Sequence, residues 1–406
     1  MSQSPTHAQY SGNEFLKRAV DVALYYGFTS SKRVAKEVKR VRGATFTRAV
    51  KRPRFPKSAF NQHVGELHSA LQTYLENNFQ TLPQPVLFYH SNIEQKSKKA
   101  ISNDSLLLGL QVIGTSKSIA EAILIKAATD ILKEVGVKNT TVYINTIGDR
   151  DSIAKYSREL TAYFRKNMND MPERARSILK KDVLSCLSYL YSKKDALYEQ
   201  APRSVEFLTE ASRRHLREVL EHMETVNIPY EIDNGIVGQG NCHTQTVFEI
   251  RNTSDTDDDS DTTIYAHCCR YDEFARKLFR LNIPAVGVII ESGTKGKSSR
   301  VALNPKRIRK PKVYLIQFGF GARLQSLAVI EMLRQAKIPI QQSIGNDKLT
   351  DQLETAERFG IPFSIIMGQK EVIDRTVIVR NMKTRSQNTI ALAILPEHLK
   401  RISKHS

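Results

Sequence analysis

Cysteine is scarce in this sequence: four residues in 406, two of them adjacent. That gives no disulfide framework, and without a C-x-x-C pair it gives no cysteine-built zinc module either. A reducing, cytoplasmic setting is the expectation. Long apolar runs are also missing; none approaches the roughly eighteen residues needed to span a bilayer. The opening stretch, Met1 to Phe15, has neither a basic start nor an apolar core, so no signal peptide is expected. Arginine is absent from Phe55 through Asp149. Nowhere in that stretch can a planar guanidinium meet two phosphate oxygens at once, and lysine supplies charge there without the fork.

Familiar motifs fail for want of single residue types. GTKGKSS (Gly293 to Ser299) follows an apolar strand, but a phosphate loop would need glycine where Glu291 stands. The polar loop Arg251 to Thr263 holds five aspartates, yet it lacks the glycine and terminal glutamate of a calcium loop.

What the chain has in plenty is positive charge, with a formal net of +19. Lys32 to Lys57 carries eleven basic residues against one acid, Glu37, and Gly293 to Lys312 carries eight against none. The rest of the chain is close to neutral. Charge focused in this way binds polyanions better than the same charge spread thinly. Lys51, Arg52, Arg54, Lys306, Arg307, Arg309 and Lys310 are therefore candidate RNA contacts. The plainer alternative is a solvated tail and a basic linker.

Hydrophobic patterning divides the remainder. An opening helix over Glu14 to Tyr26 ends at Gly27, a suitable left-handed cap. Ser118 with Glu121 reads as a capping box for a helix that Gly136 stops, with Leu124, Ala127, Ala128, Ile131, Leu132 and Val135 on one face. Strands are expected at Thr140 to Asp149, Thr246 to Ile250, Thr263 to His267 and Val286 to Ile290, with helices through Arg150 to Glu224 and from about Asp272. From Lys312 onward strands and helices alternate, which predicts a three-layer α/β unit with a largely parallel sheet. The expected organisation is a basic N-terminal segment with the opening helix (1–57), a core (58–300) with a helical insertion near 150–224, a basic linker (301–312) and a C-terminal unit (313–406).

Particular residues carry a family likeness. TVFE (Thr246 to Glu249), RYD opening a helix (Arg270, Tyr271, Asp272), PAVG (Pro284 to Gly287) and NTIGD (Asn145 to Asp149) together resemble the histidyl-tRNA synthetases, a class II aminoacyl-tRNA synthetase family. Over almost ninety residues, LRQAKIPI, KLTDQLETAERFGIPFSIIMGQKE and VIVRNMKTRSQ resemble that family's anticodon-binding domain. The resemblance implies an α/β fold class: an α+β core with an antiparallel sheet, plus the C-terminal α/β domain. It also implies a homodimer built partly on the opening helix, and a pocket near Glu66, Thr246, Glu249, Arg270, Tyr271 and Asp272. Within the C-terminal domain it implies RNA contacts at Lys348, Lys370, Lys383 and Arg385.

The chemistry of the family is not kept. Gly238 stands where its catalytic arginine belongs, and Cys242 and His243 stand where its substrate-contacting tyrosines belong. Cys268 and Cys269 replace the glycine pair before RYD. The turn between Phe88–Tyr89 and LGLQVIG holds Glu94, Gln95, Lys96, Lys98 and Lys99 where an arginine is needed for the α-phosphate of ATP. The reading is an RNA-binding accessory or regulatory protein, its partner tRNA or another structured RNA, without efficient aminoacylation, a catalytic set, a cofactor or a metal. One rival is a divergent active histidine–tRNA ligase using ATP and Mg²⁺. The other is an allosteric subunit like the synthetase-like regulatory subunit of ATP phosphoribosyltransferase, which lacks the anticodon-binding domain. Cys242, His267 and Cys268 could converge on zinc; the alternative is that these small residues fill the former pocket.

Overall fold

The computed structural model describes residues 12–42, 62–91, 106–238, 243–252, 263–292, 311–342, 344–345 and 348–404. The chain opens with α1 (Gly12–Tyr25), which buries Phe15, Leu16, Ala19, Val20, Val22 and Ala23 inside its own core. Gly27, at φ 88°, turns the chain out of the helix. After β1 (Thr29–Ser30), the first part of the basic run folds as α2 (Ser31–Arg42). Val34 and Val38, four apart on one helix face, are buried against the core, so this part of the basic segment is not a free tail.

The core continues through α3 (Gln62–Glu76), β2 (Val86–Ser91), β3 (Leu107–Ile113), α4 (Ile119–Glu134) and β4 (Thr140–Thr146). The expected helical insertion is α5 (Arg150–Lys166), α6 (Glu173–Leu179), α7 (Val183–Ser192), α8 (Ala196–Glu199) and α9 (Glu210–Thr225). Much of it packs around its own small core of Tyr156, Leu160, Phe164, Leu184 and Leu190. Then follow β5 (Tyr230–Ile232), β6 (Thr244–Asn252), β7 (Ile264–Arg270), α10 (Asp272–Phe279) and β8 (Ala285–Glu291). The eight strands form one sheet in the order β1-β2-β3-β8-β7-β6-β4-β5. Every pairing from β2 to β4 is antiparallel, and only the two end pairs are parallel. The central strands β3 and β8 are buried on both faces over nearly their whole length because α4 covers one and α3 the other.

The capping box expected at Ser118 and Glu121 does not form. Ser118 Oγ donates instead to Glu218 at 2.7 Å. Glu121 is drawn to Arg270, whose Nε and NH2 donate to its two oxygens at 2.7 and 2.8 Å, while NH1 reaches the Thr115 carbonyl. His215 Nε2, on α9, approaches the same carboxylate at 2.8 Å. Burial alone would raise the Glu121 pKa, but Arg270 and His215 hold it down, at about 2.

The C-terminal unit runs β9 (Val313–Gln317), α11 (Phe320–Gln335), β10 (Ile340–Gln342), α12 (Leu349–Arg358), β11 (Phe363–Met367), α13 (Gln369–Ile373), β12 (Thr376–Asn381), β13 (Gln387–Ala391) and α14 (Leu395–Lys404). Its sheet has the order β10-β9-β11-β12-β13, the first three strands parallel and the last two antiparallel. β13 was not expected, because its residues are largely exposed and QNTIA has no apolar alternation to announce a strand. The unit is docked on the core through α11. Glu331 accepts from Lys126 Nζ at 3.3 Å and from Arg334 NH2 at 2.8 Å, and Arg334 Nε reaches Asp130 at 3.3 Å. The Tyr26 hydroxyl donates to Asp130 and also lies 3.1 Å from Glu331. Burial pushes Asp130 up; Arg334 and Lys126 hold Glu331 well below the ordinary carboxylate range against the same effect.

The Arg270–Glu121 pair yields a stability prediction. Arg270→Met leaves a buried carboxylate without its main partner and should cost roughly 3–5 kcal/mol in urea unfolding. Glu121→Leu/Arg270→Met removes both charges and should recover most of that loss. A carboxylate held below its ordinary value stabilises fully above that value and loses its effect as pH falls toward its folded value. The gap between parent and Arg270→Met should therefore narrow from pH 5 toward pH 2, and a gap independent of pH would contradict the assignment.

Candidate functional site

Side chains alternate along a strand, so His267 and Cys269 on β7 share the face under α3, while Cys268 and Arg270 take the face under α4. On the α3 face, β6, β7 and β8 set three polar residues side by side. Glu249 pairs directly across from His267, which pairs in turn with Ile289, two residues before Glu291. α3 lies over these strands and brings down His63. His63 Nε2 hydrogen-bonds Glu291, and its ring lies 4.0 Å, centroid to centroid, from that of His267. One ligand atom each from His63, His267 and Glu291 lies within 4.8 Å of the others.

Behind this cluster stands an ordered outer layer. Glu249 faces His267 Nδ1 at 3.2 Å and accepts from Arg251 Nε and NH2 at 2.9 and 2.8 Å. Arg251 NH1 reaches Asp233 at 2.9 Å, and its guanidinium stacks 4.4 Å from the Tyr143 ring centroid. Burial alone would raise the Glu249 carboxyl, but His267 and Arg251 bring it below its ordinary value; the His63 hydrogen bond does the same for Glu291.

Deeper on the same face, Tyr271 OH donates to Gln111 Oε1 at 2.7 Å. Gln111 Nε2 lies 3.1 Å from His90 Nε2, and His90 Nδ1 lies 3.6 Å from Glu66. Burial pushes His90 down to about 4, so near neutral pH its ring is uncharged and Nε2 can accept the amide proton. These side chains occupy space left by glycines. A β-carbon at Gly109 would come 2.2 Å from His90 Nε2, and one at Gly287 would come 1.9 Å from Gln111 Oε1. Farther along, His243 covers Gly238, which sits at φ 72°, and a β-carbon there would lie 2.1 Å from His243 Nδ1. Burial pushes His243 down to about 4 as well. A cleft of about 310 Å³ opens beside His243, lined by Ile147, Arg150, Val237, Glu273 and Arg276. Its two arginines both lie on Glu273, at 3.1 and 2.6 Å.

Of the pocket residues expected from the sequence, Glu66 points down from α3 toward His90, and Glu249 and Tyr271 lie on the sheet face beneath that helix. Arg270 does not: strand alternation turns it to the α4 side, where Glu121 holds it. Thr246 is fully buried opposite Thr146, and Asp272 accepts from the Ala285 amide at 2.7 Å, closing the start of α10. The Cys242, His267 and Cys268 set does not assemble. Cys268 is buried on the face opposite His267, and Cys242 lies outside the described residues, as do Lys51, Arg52, Arg54, Lys306, Arg307, Arg309, Lys310 and the turn from Glu94 to Lys99. In the C-terminal unit, Lys348 and Lys370 are exposed at the carboxyl ends of the parallel strands. Lys383 and Arg385 are exposed on the β12–β13 hairpin at the opposite edge, so the four do not form one patch.

Comparison with known proteins agrees with this architecture. Residues 312–402 match the anticodon binding domain model. A histidine–tRNA ligase of Halothermothrix orenii is 26% identical over 300 residues, covering 73% of this chain and 70% of its own length. One from Fervidobacterium nodosum is 28% identical over 286 residues, covering 69% and 65%. Over most of its length the chain is thus similar to histidine–tRNA ligases, and its C-terminal unit matches an anticodon binding domain. The crystal structure of apo S. aureus histidyl-tRNA synthetase superposes with a TM-score of 0.45 at 21% identity, covering 82% of this chain and 81% of that one. The sequence reading missed His63, His90, Gln111, Arg251 and Glu291 as residues at this sheet face. The available signal was strand parity: Glu249, His267 and Glu291 share a parity once β6, β7 and β8 are set side by side.

Because Gly238 combines a left-handed backbone with contact against His243, Gly238→Ala should destabilise by about 1–3 kcal/mol. Adding His243→Ala should relieve the contact but not the backbone strain, so only part of that loss should return. Chemical denaturation of the four variants in the cycle reads both terms; a neutral Gly238→Ala would show that neither constraint operates.

Proposed function

We propose that this protein binds tRNA, or an RNA of similar structure, and does not activate histidine efficiently. The observation that carries the reading is the charge on the sheet face under α3. Arg251, the arginine that the described strands present there, is bound by Glu249 and Asp233 and stacked on Tyr143. Around it stand Glu291, Glu66 and imidazoles, two of which burial keeps neutral. Such a surface repels a triphosphate and offers no preorganised donor for the charge that builds on the α-phosphate. The anticodon binding domain, by contrast, runs nearly to the end of the chain. ATP and Mg²⁺ are accordingly not working cofactors on this reading, and a homodimer remains part of it, although α1 spends its apolar face within its own subunit. The rival is the histidine–tRNA ligase activity of the relatives.

Histidine-dependent ATP–pyrophosphate exchange separates the two. One lost phosphate donor costs roughly 2.7–4 kcal/mol, so several missing together should slow exchange by several powers of ten. Turnover near one per second would defeat the reading.

RNA binding is tested by salt dependence. Each neutralised phosphate contributes a slope of roughly −0.7 to −0.9 in log K against log salt. Replacing Lys306, Arg307, Arg309 and Lys310 with Gln should weaken tRNA binding and flatten the slope by about two to four. Unchanged affinity and slope would make that segment a solvated connector. Lys383 and Arg385 should affect which tRNA is preferred, and Lys348 and Lys370, at the other edge, should act independently of them.

A further inference from the structure

We propose that His63, His267 and Glu291 form a binding site for a divalent transition metal of the zinc class, with Glu249 as the carboxylate that orients His267. The ligands come from α3, β7 and β8, more than two hundred residues apart at the extremes, so chain proximity does not explain their meeting. Two imidazoles and one carboxylate suit zinc and its first-row neighbours, whereas magnesium and calcium favour oxygen ligands throughout. Tetrahedral bonds of about 2.0–2.2 Å place ligand atoms roughly 3.3–3.6 Å apart. The three candidate atoms already lie within 4.8 Å, so small side-chain rotations close the site.

The outer layer has the form that metal-ligating histidines require. A ligand histidine commonly donates its other ring N–H to a carboxylate, which fixes tautomer and ring orientation. Glu249 faces His267 Nδ1 at 3.2 Å, leaving Nε2 for an ion, and Arg251 anchors Glu249 from behind. The three ligand side chains keep 20%, 27% and 25% of their surface, enough for an ion to enter. Three protein ligands leave the fourth position to water. Glu291 in the ligand set and Glu249 behind His267 place two carboxylates beside the position a dication would take. The site is independent of the RNA reading: a chain that failed to bind tRNA could still hold the ion, and the reverse.

The test uses the full-length protein, stripped with chelator and titrated with Co²⁺, followed by Zn²⁺ competition. One equivalent of Co²⁺ should give a visible ligand-field band without thiolate charge transfer, and Zn²⁺ should displace it. His63→Ala and His267→Ala should each weaken binding by about 100-fold or more, and Glu249→Gln by about 10–100-fold. Affinity should fall as pH is lowered, because protons compete with the ion for its ligands. His398→Ala, on α14, should leave binding unchanged. Glu291→Gln keeps the side-chain shape and a hydrogen-bonding group for His63, so it reads the site even if an alanine variant misfolds; it too should lose most of the affinity. The assignment is overturned by an absence of saturable binding near one equivalent. It is equally overturned by binding that survives Glu291→Gln or the double histidine variant, or by a thiolate band pointing to the cysteines.

Discussion

One buried guanidinium–carboxylate contact holds the frame together. Arg270 leaves the last position of β7, crosses to the α4 face and is bound by both oxygens of Glu121, to which α9 adds His215. Taking two charges out of water is costly, and the pair persists because nearly every donor around it has an acceptor. The neighbours of Arg270 are used in the same way. Tyr271 reaches Gln111 on β3, and Asp272 closes the turn to β8 through the Ala285 amide. The RYD segment is therefore explained by architecture alone, each residue tying β7 or α10 to a different element.

With those residues committed to the frame, the opposite face of the sheet is free to differ in character. His90 and His243, kept neutral by burial, lie over glycines, and Arg251, the strand-borne arginine among the described residues there, is bound by two acids. A surface of that kind disfavours polyphosphate and favours a cation. In sequence, the chain's excess positive charge falls instead in residues 32–57 and 293–312, where the described lysines and arginines of α2 are exposed. The basic runs and the acidic, imidazole-lined sheet face thus use different residues, and the two can be altered independently.

Much of the fold was legible because periodicity reports burial. The apolar run at Val286, the helix after Ser118 and the alternation after Lys312 all placed their elements correctly. β13 escaped because an edge strand with little buried surface has no hydrophobic signature, and the capping box failed because Glu121 had a stronger partner 149 residues away. The site was less legible for the same reason. Parity tells which residues of one strand share a face, but not which strands are neighbours. His63 comes from a helix whose position over the sheet no local pattern encodes. Likeness named Glu66, Glu249 and Arg270 together but does not say which way a side chain points: the first two lie at the α3 face and Arg270 lies on the α4 side.

The attachment of the C-terminal unit has a consequence for scale. Tyr26, Lys126 and Asp130 grip Glu331 and Arg334 through a largely buried lattice of hydrogen bonds and ion pairs, and Gln342 adds a bond to the Tyr26 carbonyl. A unit bolted on in this way cannot swing to suit its ligand, unlike one hung on a flexible string. Any long molecule that touches both the core and the far hairpin must span one set distance between them. If the protein binds RNA as proposed, that fixed span would select partners by length and bend before any base is read.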